Sequence, residues 1–470
     1  MPGARGWMAD IQSILRSVDN HQAASLAGLI DFLRIPSVST KPEHKPDMQR
    51  CAAWLVEQLR GCGLQTEIAA TAGHPVVLAK NEHRPGRPTV LMYGHYDVQP
   101  PEPLDLWTSP PFEPTVRKDD TGHDAVFARG AVDDKGQVWC HLQAMRAWHE
   151  AGRAPVNVTM LIEGEEEIGS PNLADFVRSR RADLKADIAV VSDTNQFARG
   201  FPAITYGLRG LVYTEVTLTA AGHDLHSGMF GGAVPNPANA LCELLATLHD
   251  ADGRVNIPGF YDDVQELTAQ ERRNFAALPF DEARYLSDLK LTKLYGEKGF
   301  TTLERTWARP TCDINGLTSG YQGPGAKTVI ASKASAKVSM RLVPKQDPKK
   351  IIAAFEKTLR ERCPVGVTLD IHIHGGGGSP AFLTPLTGKP IQLAAKAIEA
   401  GFGKAPVFMR EGGSIPIVGK FKEILGIDTL LIGFGLPDDR VHSPNEKFEL
   451  HALQAGTRTA AALYQALSEL

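Results

Sequence analysis

Apolar residues recur at helical spacing over residues 11–33. The spacing returns and ends over residues 55–62, where Gly61 and Gly63 supply a stop signal. Beyond this point short, continuously apolar runs take over, at residues 75–80, 89–93, 157–162 and 188–191. Helical stretches fall between them, for example residues 136–151. Strands that are apolar throughout and separated by helices predict a mostly parallel sheet, buried on both faces.

The pattern changes near Gly207. Residues 210–219 alternate apolar and polar, as do 338–343 and 367–373. Alternation of this kind predicts half-exposed strands of an antiparallel sheet, with helices on one side. Residues 253–309 are richer in charge and read as a helical elaboration. A continuous apolar run returns at residues 429–432. The expected fold class is therefore α/β: a mostly parallel-sheet catalytic domain with an inserted α+β domain. The expected boundaries are 1–207, 208–378 and 379–470, with linkers near Gly207 and Gly375.

At 470 residues the chain exceeds what one hydrophobic core serves, which agrees with two domains. Its net charge of −4 argues against a nucleic-acid or anionic-membrane partner. No apolar stretch reaches the length of a membrane span. The first residues, MPGARGWMADIQ, contain no apolar secretory segment. Six cysteines are spread without a CxxC pair, so free thiols in a reducing, cytoplasmic compartment are expected.

Five islands of acid and histidine punctuate this frame: GHYD with His95 and Asp97, VDDKG with Asp133 and Asp134, EGEEEIGS with Glu163 to Glu167, SDT with Asp193, and HSPNE with His442. Taken singly, each has a plain alternative. GHYD reads as a strand-end turn, VDDKG as a helix cap, SDT as a surface acid, and HSPNE as a solvent-facing histidine. The acidic run is the most informative, because four carboxylates directly follow a buried strand. Burying unpaired carboxylates is costly, and cations at the ligand-binding edge of an α/β sheet would remove that cost.

Together, His95, Asp133, Glu167, Asp193 and His442 supply two imidazoles and three carboxylates. If Asp133 bridges, two metals have three protein contacts each and open positions for water and substrate. Asp97, two residues beyond His95 and on the same face, suits the carboxylate that holds a metal-binding imidazole by its other nitrogen. Glu166 is left free to act as general base.

These motifs, in order over nearly the full length, resemble the carnosinase-type dipeptidases. That group lies within the co-catalytic zinc peptidases, which also include aminoacylases, glutamate carboxypeptidases and succinyl-diaminopimelate desuccinylases. The resemblance implies that His95 and Asp193 bind one metal, Glu167 and His442 the other, and that Asp133 bridges. It also implies a cis peptide between Asp133 and Asp134. In DLHSG, His226 matches a lid histidine that reaches the other subunit's site and stabilises the oxyanion, which implies a homodimer formed through the inserted lid/dimerisation domain. Arg341 matches the residue gripping the substrate carboxylate, and Thr328 matches a further substrate contact. Gly413 and Ser414, in REGGS, match the pocket-lining loop.

The implied enzyme is a dinuclear zinc dipeptidase that cleaves the amide bond of dipeptides or short peptides with a two-metal-activated water. Manganese or cobalt would also suit the ligands. Deacylation of N-acyl amino acids needs the same metals and is the alternative among hydrolases. A metal-free binding protein on this fold would have lost ligands, and all five ligand positions are present here. His372 and His374 read as a solvent-facing pair, and the glycine run 375–378 lacks the Lys-Ser/Thr of a phosphate loop.

Overall fold

The computed structural model describes residues 10–375 and 377–470. The start of the chain, where no secretory segment is expected, and Gly376 of the glycine run lie outside the described residues. The chain divides into two compact units. One comprises the chain up to Tyr206 with Thr384–Met409 and Lys420–Leu470. The other comprises Gly207–Leu383 and Arg410–Gly419. The REGGS loop thus packs with the second unit, whereas the sequence pattern assigns everything after residue 378 to the catalytic domain.

The first unit is built on a mixed sheet. Its strands run in the order Gln65–Ala69, Val76–Lys80, Asn157–Glu163, Thr89–His95, Ile188–Val191, Thr429–Leu431 and Ala203–Leu208. Thr89–His95 is parallel to both of its neighbours, and Thr429–Leu431 is parallel to Ile188–Val191. These four central strands are continuously apolar, and nearly all their residues are buried. The outer pairings are antiparallel.

Helix Lys135–Glu150 is buried along almost its whole length. Leu450–Leu467 packs against it and against Lys389–Phe402. That second packing is close because Gly401 has no side chain: a Cβ there would lie 2.0 Å from Thr459 Oγ1. At the other end of the core, Phe32, Trp54 and Trp139 stack, with centroids 4.9 and 5.7 Å apart. Residues 11–33, one pattern in the sequence, form two helices, Ile11–Asn20 and Gln22–Leu33. His21 interrupts them with φ −95° and ψ 6°.

Burial also sets a pH dependence. His141 is wholly buried between Tyr464 Oη at 3.1 Å and Ser192 Oγ at 2.8 Å. Desolvation lowers its pKa from 6.5 to about 3, so the folded protein keeps it neutral where the unfolded chain protonates it. Its stabilising contribution is complete above pH 6.5 and is lost as the pH falls toward 3. The urea midpoint is expected to drop over that window and to drop less in His141→Asn. Equal slopes in the two proteins would remove His141 from the explanation.

The second unit carries a four-stranded antiparallel sheet in the order Thr311–Ser319, Lys333–Leu342, Gly210–Thr219, Thr368–Ile373. Burial alternates residue by residue along Gly210–Thr219, matching the sequence pattern. Val212, Val216 and Leu218 face Leu241, Leu244, Ile351 and Phe355 of helices Pro237–Ala246 and Pro348–Arg362. Residues 253–309 contain three short helices, two of them started by capping boxes at Thr268 and Thr301. A buried Arg309–Glu297 pair at 2.7 Å anchors this stretch.

Candidate metal centre and carboxylate-reading residues

The carboxyl ends of the parallel strands collect the acid and histidine islands. Strand Thr89–His95 ends at His95, which sits in register with Glu163 on the neighbouring strand. Asp193 follows strand Ile188–Val191 by two residues. Asp133 lies in the turn before helix Lys135–Glu150, and the Asp133–Asp134 peptide is cis. Helix and strand approach closely here because residue 94 is glycine: a Cβ there would lie 2.4 Å from Val138 Cγ2 and 2.8 Å from Asp134 Oδ2.

Two triads result, His95 with Asp133 and Asp193, and Asp133 with Glu167 and His442, each with ligand atoms within 4.8 Å of one another. Asp133 belongs to both. Its Oδ1 lies 3.2 Å from His95 Nε2, and its Oδ2 lies 2.9 Å from His442 Nε2. Asp193 Oδ2 is 3.9 Å from His95 Nε2, and Glu167 Oε2 is 3.3 Å from His442 Nε2. His442 holds φ +62°, a backbone region uncommon for a residue with a Cβ. Nearby, Asn445 pins the loop through Thr108 N–H at 2.9 Å and the Leu106 carbonyl at 2.8 Å.

The ligand chemistry fits divalent metal. Nitrogen and carboxylate donors are the usual zinc set. His95 is fully buried, and its Nε2 faces the carboxylates of Asp133 at 3.2 Å and Asp193 at 3.9 Å, a buried concentration of acid that a cation would neutralise. Burial opposes ionisation of Asp133, but hydrogen bonds from His442 and His95 outweigh it and hold the carboxyl well below its usual range. Burial and the neighbouring Asp134 and Asp133 push Asp193 well up. Against burial, the carboxylates around His95 raise its pKa well above the usual value. Hydrogen bonds to Asp133 and Glu167 raise His442 to about 10. These imidazole protons are the ones a metal displaces, since histidine ligates in its neutral form.

Neighbouring groups orient the set. His95 Nδ1 lies 3.1 Å from the Asp97 carbonyl and 3.4 Å from Asp97 Oδ1. The Asp97 carboxylate also accepts Glu166 N–H at 3.2 Å and Glu167 N–H at 3.1 Å. One side chain thereby fixes an imidazole and the turn carrying two glutamates. Burial first, then nearby carboxylates, raises Glu166 to about 7. Glu163 accepts from Tyr93 Oη and Ser170 Oγ, and Glu165 accepts from His74 N–H and Asn172, so both brace the run.

Three further residues support the set, and of these Gln99 lies outside the acid and histidine islands. Gln99 donates to Glu167 Oε2 at 2.8 Å. Asp134 accepts His95 N–H at 3.2 Å. Buried Glu446 accepts from Gly130, Val132 and Asp133 N–H at 2.9 to 3.1 Å and from Arg129 Nη1 at 2.7 Å. Its presence in HSPNE was the only available signal. A further triad, Asp119, His123 and Glu449, already holds cations: Arg199 lies 2.7 Å from Glu449 and 3.2 Å from Asp119, and Lys447 lies 3.5 Å from Asp119.

The remaining expected residues lie in the second unit. Arg341 Nη1 donates to Ser414 Oγ at 3.0 Å, and Gly413 precedes that serine in the same loop. Leu225–His226 pairs with Val329–Ile330, and the Thr328 carbonyl accepts Ser227 N–H at 3.1 Å. Exposed His226 accepts Gly228 N–H on Nδ1 at 3.0 Å, which leaves its proton on Nε2.

The sequence model of peptidase family M20/M25/M40 matches residues 91–466. The chain is 33% identical to the Cys-Gly metallodipeptidase DUG1 of Candida albicans, over 96% of each protein. It is 30% identical to the Beta-Ala-His dipeptidase of Homo sapiens, over 98% of this chain and 93% of the human protein. It is similar to the crystal structure of the M20 family metallo-carboxypeptidase Sso-CP2 from Sulfolobus solfataricus, with a TM-score of 0.85 and 32% identity over 95% of this chain and 99% of that one.

Proposed function

Because this chain belongs to peptidase family M20/M25/M40, whose metallopeptidases cleave peptide bonds with the help of metal ions, we propose that it is a dinuclear metallodipeptidase. The observation that carries this reading is Asp133, whose two oxygens face two different imidazoles within two separate triads. His95 and Asp193 would hold one ion, Glu167 and His442 the other, and Asp133 both. Zinc is the proposed metal, with manganese or cobalt able to substitute. Divalent ions so held acidify a water molecule and polarise the scissile carbonyl.

The protein's own groups do the rest. Glu166 accepts a proton from the attacking water and returns it to the leaving amine. Asp97 keeps Glu166, Glu167 and His95 in mutual register. His226, protonated on Nε2, donates to the developing oxyanion from the partner subunit of a homodimer. Arg341 binds the substrate's C-terminal carboxylate, with Thr328, Gly413 and Ser414 lining the seat.

Six free cysteines agree with a reducing, cytoplasmic setting. Among the described residues no helix is long and apolar enough to cross a membrane. The test is a substrate panel with defined zinc, manganese or cobalt reconstitution. Dipeptides are expected to be hydrolysed at least about tenfold better than N-acetyl amino acids, as kcat/KM. Preferential deacylation would replace dipeptides as substrates, and full activity of a monomer would remove the role of His226.

A further inference from the structure

Among the described residues the fully buried arginines have carboxylate partners. Arg129 pairs with Glu446 at 2.7 Å, Arg309 with Glu297 at 2.7 Å, and Arg410 with Glu271. Arg209 and Arg341 are without such a partner, as are Arg305 and Arg362, but Arg209 and Arg341 are linked to each other through Ser414. Both are half-buried, and their side-chain hydrogen bonds go to neutral oxygens. Arg209 Nε donates to the Gly412 carbonyl at 3.1 Å and Nη1 to the Arg309 carbonyl at 3.5 Å. Arg341 donates to Ser414 Oγ, and that hydroxyl in turn donates to the backbone carbonyl of Arg209.

We infer that Arg209 is a positioning residue for Arg341, making the seat doubly cationic and setting the enzyme's preference for substrates with a free C-terminal carboxylate. The inference rests on the reading of Arg341 as the carboxylate-binding group. Two contacts from one residue fix the loop: its guanidinium holds Gly412, and its carbonyl holds Ser414, which orients Arg341. Glycine at 412 permits this, because a Cβ there would lie 2.7 Å from Arg209 Nη2.

Charge follows from the same geometry. Burial, then the neighbouring Arg341, lowers Arg209 to about 10, and burial lowers Arg341 as well. Asp313 is the acid that offsets both, yet it is exposed and its carboxylate is engaged by the Thr311 hydroxyl. Two guanidiniums held close together without an ion-paired carboxylate are poised for an anion from outside. A carboxylate fits that demand, and a carboxamide does not.

The experiment measures KM and kcat, on the zinc-loaded enzyme, for a dipeptide and for the same dipeptide with a C-terminal carboxamide. R209Q removes the charge, and R209K keeps it. In R209Q, KM for the free carboxylate is expected to rise about tenfold. Its kcat should stay within about twofold and KM for the carboxamide should change far less than KM for the free carboxylate, so selectivity falls about tenfold. R209K should keep most of the wild-type selectivity. An unchanged carboxylate-to-carboxamide ratio in R209Q overturns the inference, as does an equal loss on both substrates. If R209Q does not fold, R209K decides: loss of selectivity with the charge retained overturns it. A wild-type enzyme inert toward every dipeptide overturns the dipeptidase reading and the inference with it. An active wild type with unaltered R209Q overturns the inference alone.

Discussion

Glu166→Gln is expected to lower kcat by about 10²–10⁴-fold while leaving metal content unchanged. The substitution keeps size and hydrogen-bonding reach but removes the proton acceptor. Glu166 stands outside both ligand triads, so metal retention is not at stake. Its backbone N–H, held by Asp97 Oδ1 at 3.2 Å, remains available to keep the turn in place. Glu167→Gln provides the contrast, since Glu167 belongs to a triad and its loss should release metal. Elemental analysis beside steady-state kinetics separates these neighbours. Turnover near the wild-type rate in metal-replete Glu166→Gln would remove Glu166 as the base.

The second large effect belongs to a residue that touches neither substrate nor, in the proposed scheme, metal. Glu446→Gln is expected to cost about 3–5 kcal/mol of stability, the usual penalty for breaking a buried ion pair. Glu446 is fully buried, with both oxygens engaged by N–H donors. A glutamine must turn its own NH2 toward donors on one side and leaves the Arg129 guanidinium without a counter-charge. Because Asp133 N–H is among those donors, metal affinity should also fall, by about 10–100-fold. Urea unfolding and zinc titration measure the two effects. Wild-type values for both would show that the Gly130–Asp133 turn holds its shape unaided.

The parts legible in the sequence were those in which local pattern determines structure. The four central strands are apolar because both of their faces are buried, and their lengths alone mark them. The islands that follow them fall at the carboxyl edge, where a parallel sheet places such residues. Strand direction at the rim was not legible. Val76–Lys80 is as apolar as its neighbours but runs antiparallel to Asn157–Glu163, and a five-residue run does not encode its sense. Nor was the small sheet of Thr115–Lys118, Asp124–Phe127 and Lys447–Glu449, whose pairings join distant stretches of chain. Gln99 illustrates the same gap, because its carboxylate partner is 68 residues away and no local spacing announces it.

The reach of Glu446 also bears on how the protein is made. Its carboxylate fastens backbone groups 313 to 316 residues earlier in the chain. During synthesis those amides leave the ribosome long before their acceptor does, and His442 emerges only just ahead of it. In the proposed scheme, a nascent chain that has paired strands Thr89–His95, Asn157–Glu163 and Ile188–Val191 could offer His95, Asp133 and Asp193 to a passing ion. In the proposed two-metal scheme the second triad would close only once translation reaches the HSPNE turn, so a full metal complement, and peptide cleavage with it, would come late in each molecule's synthesis.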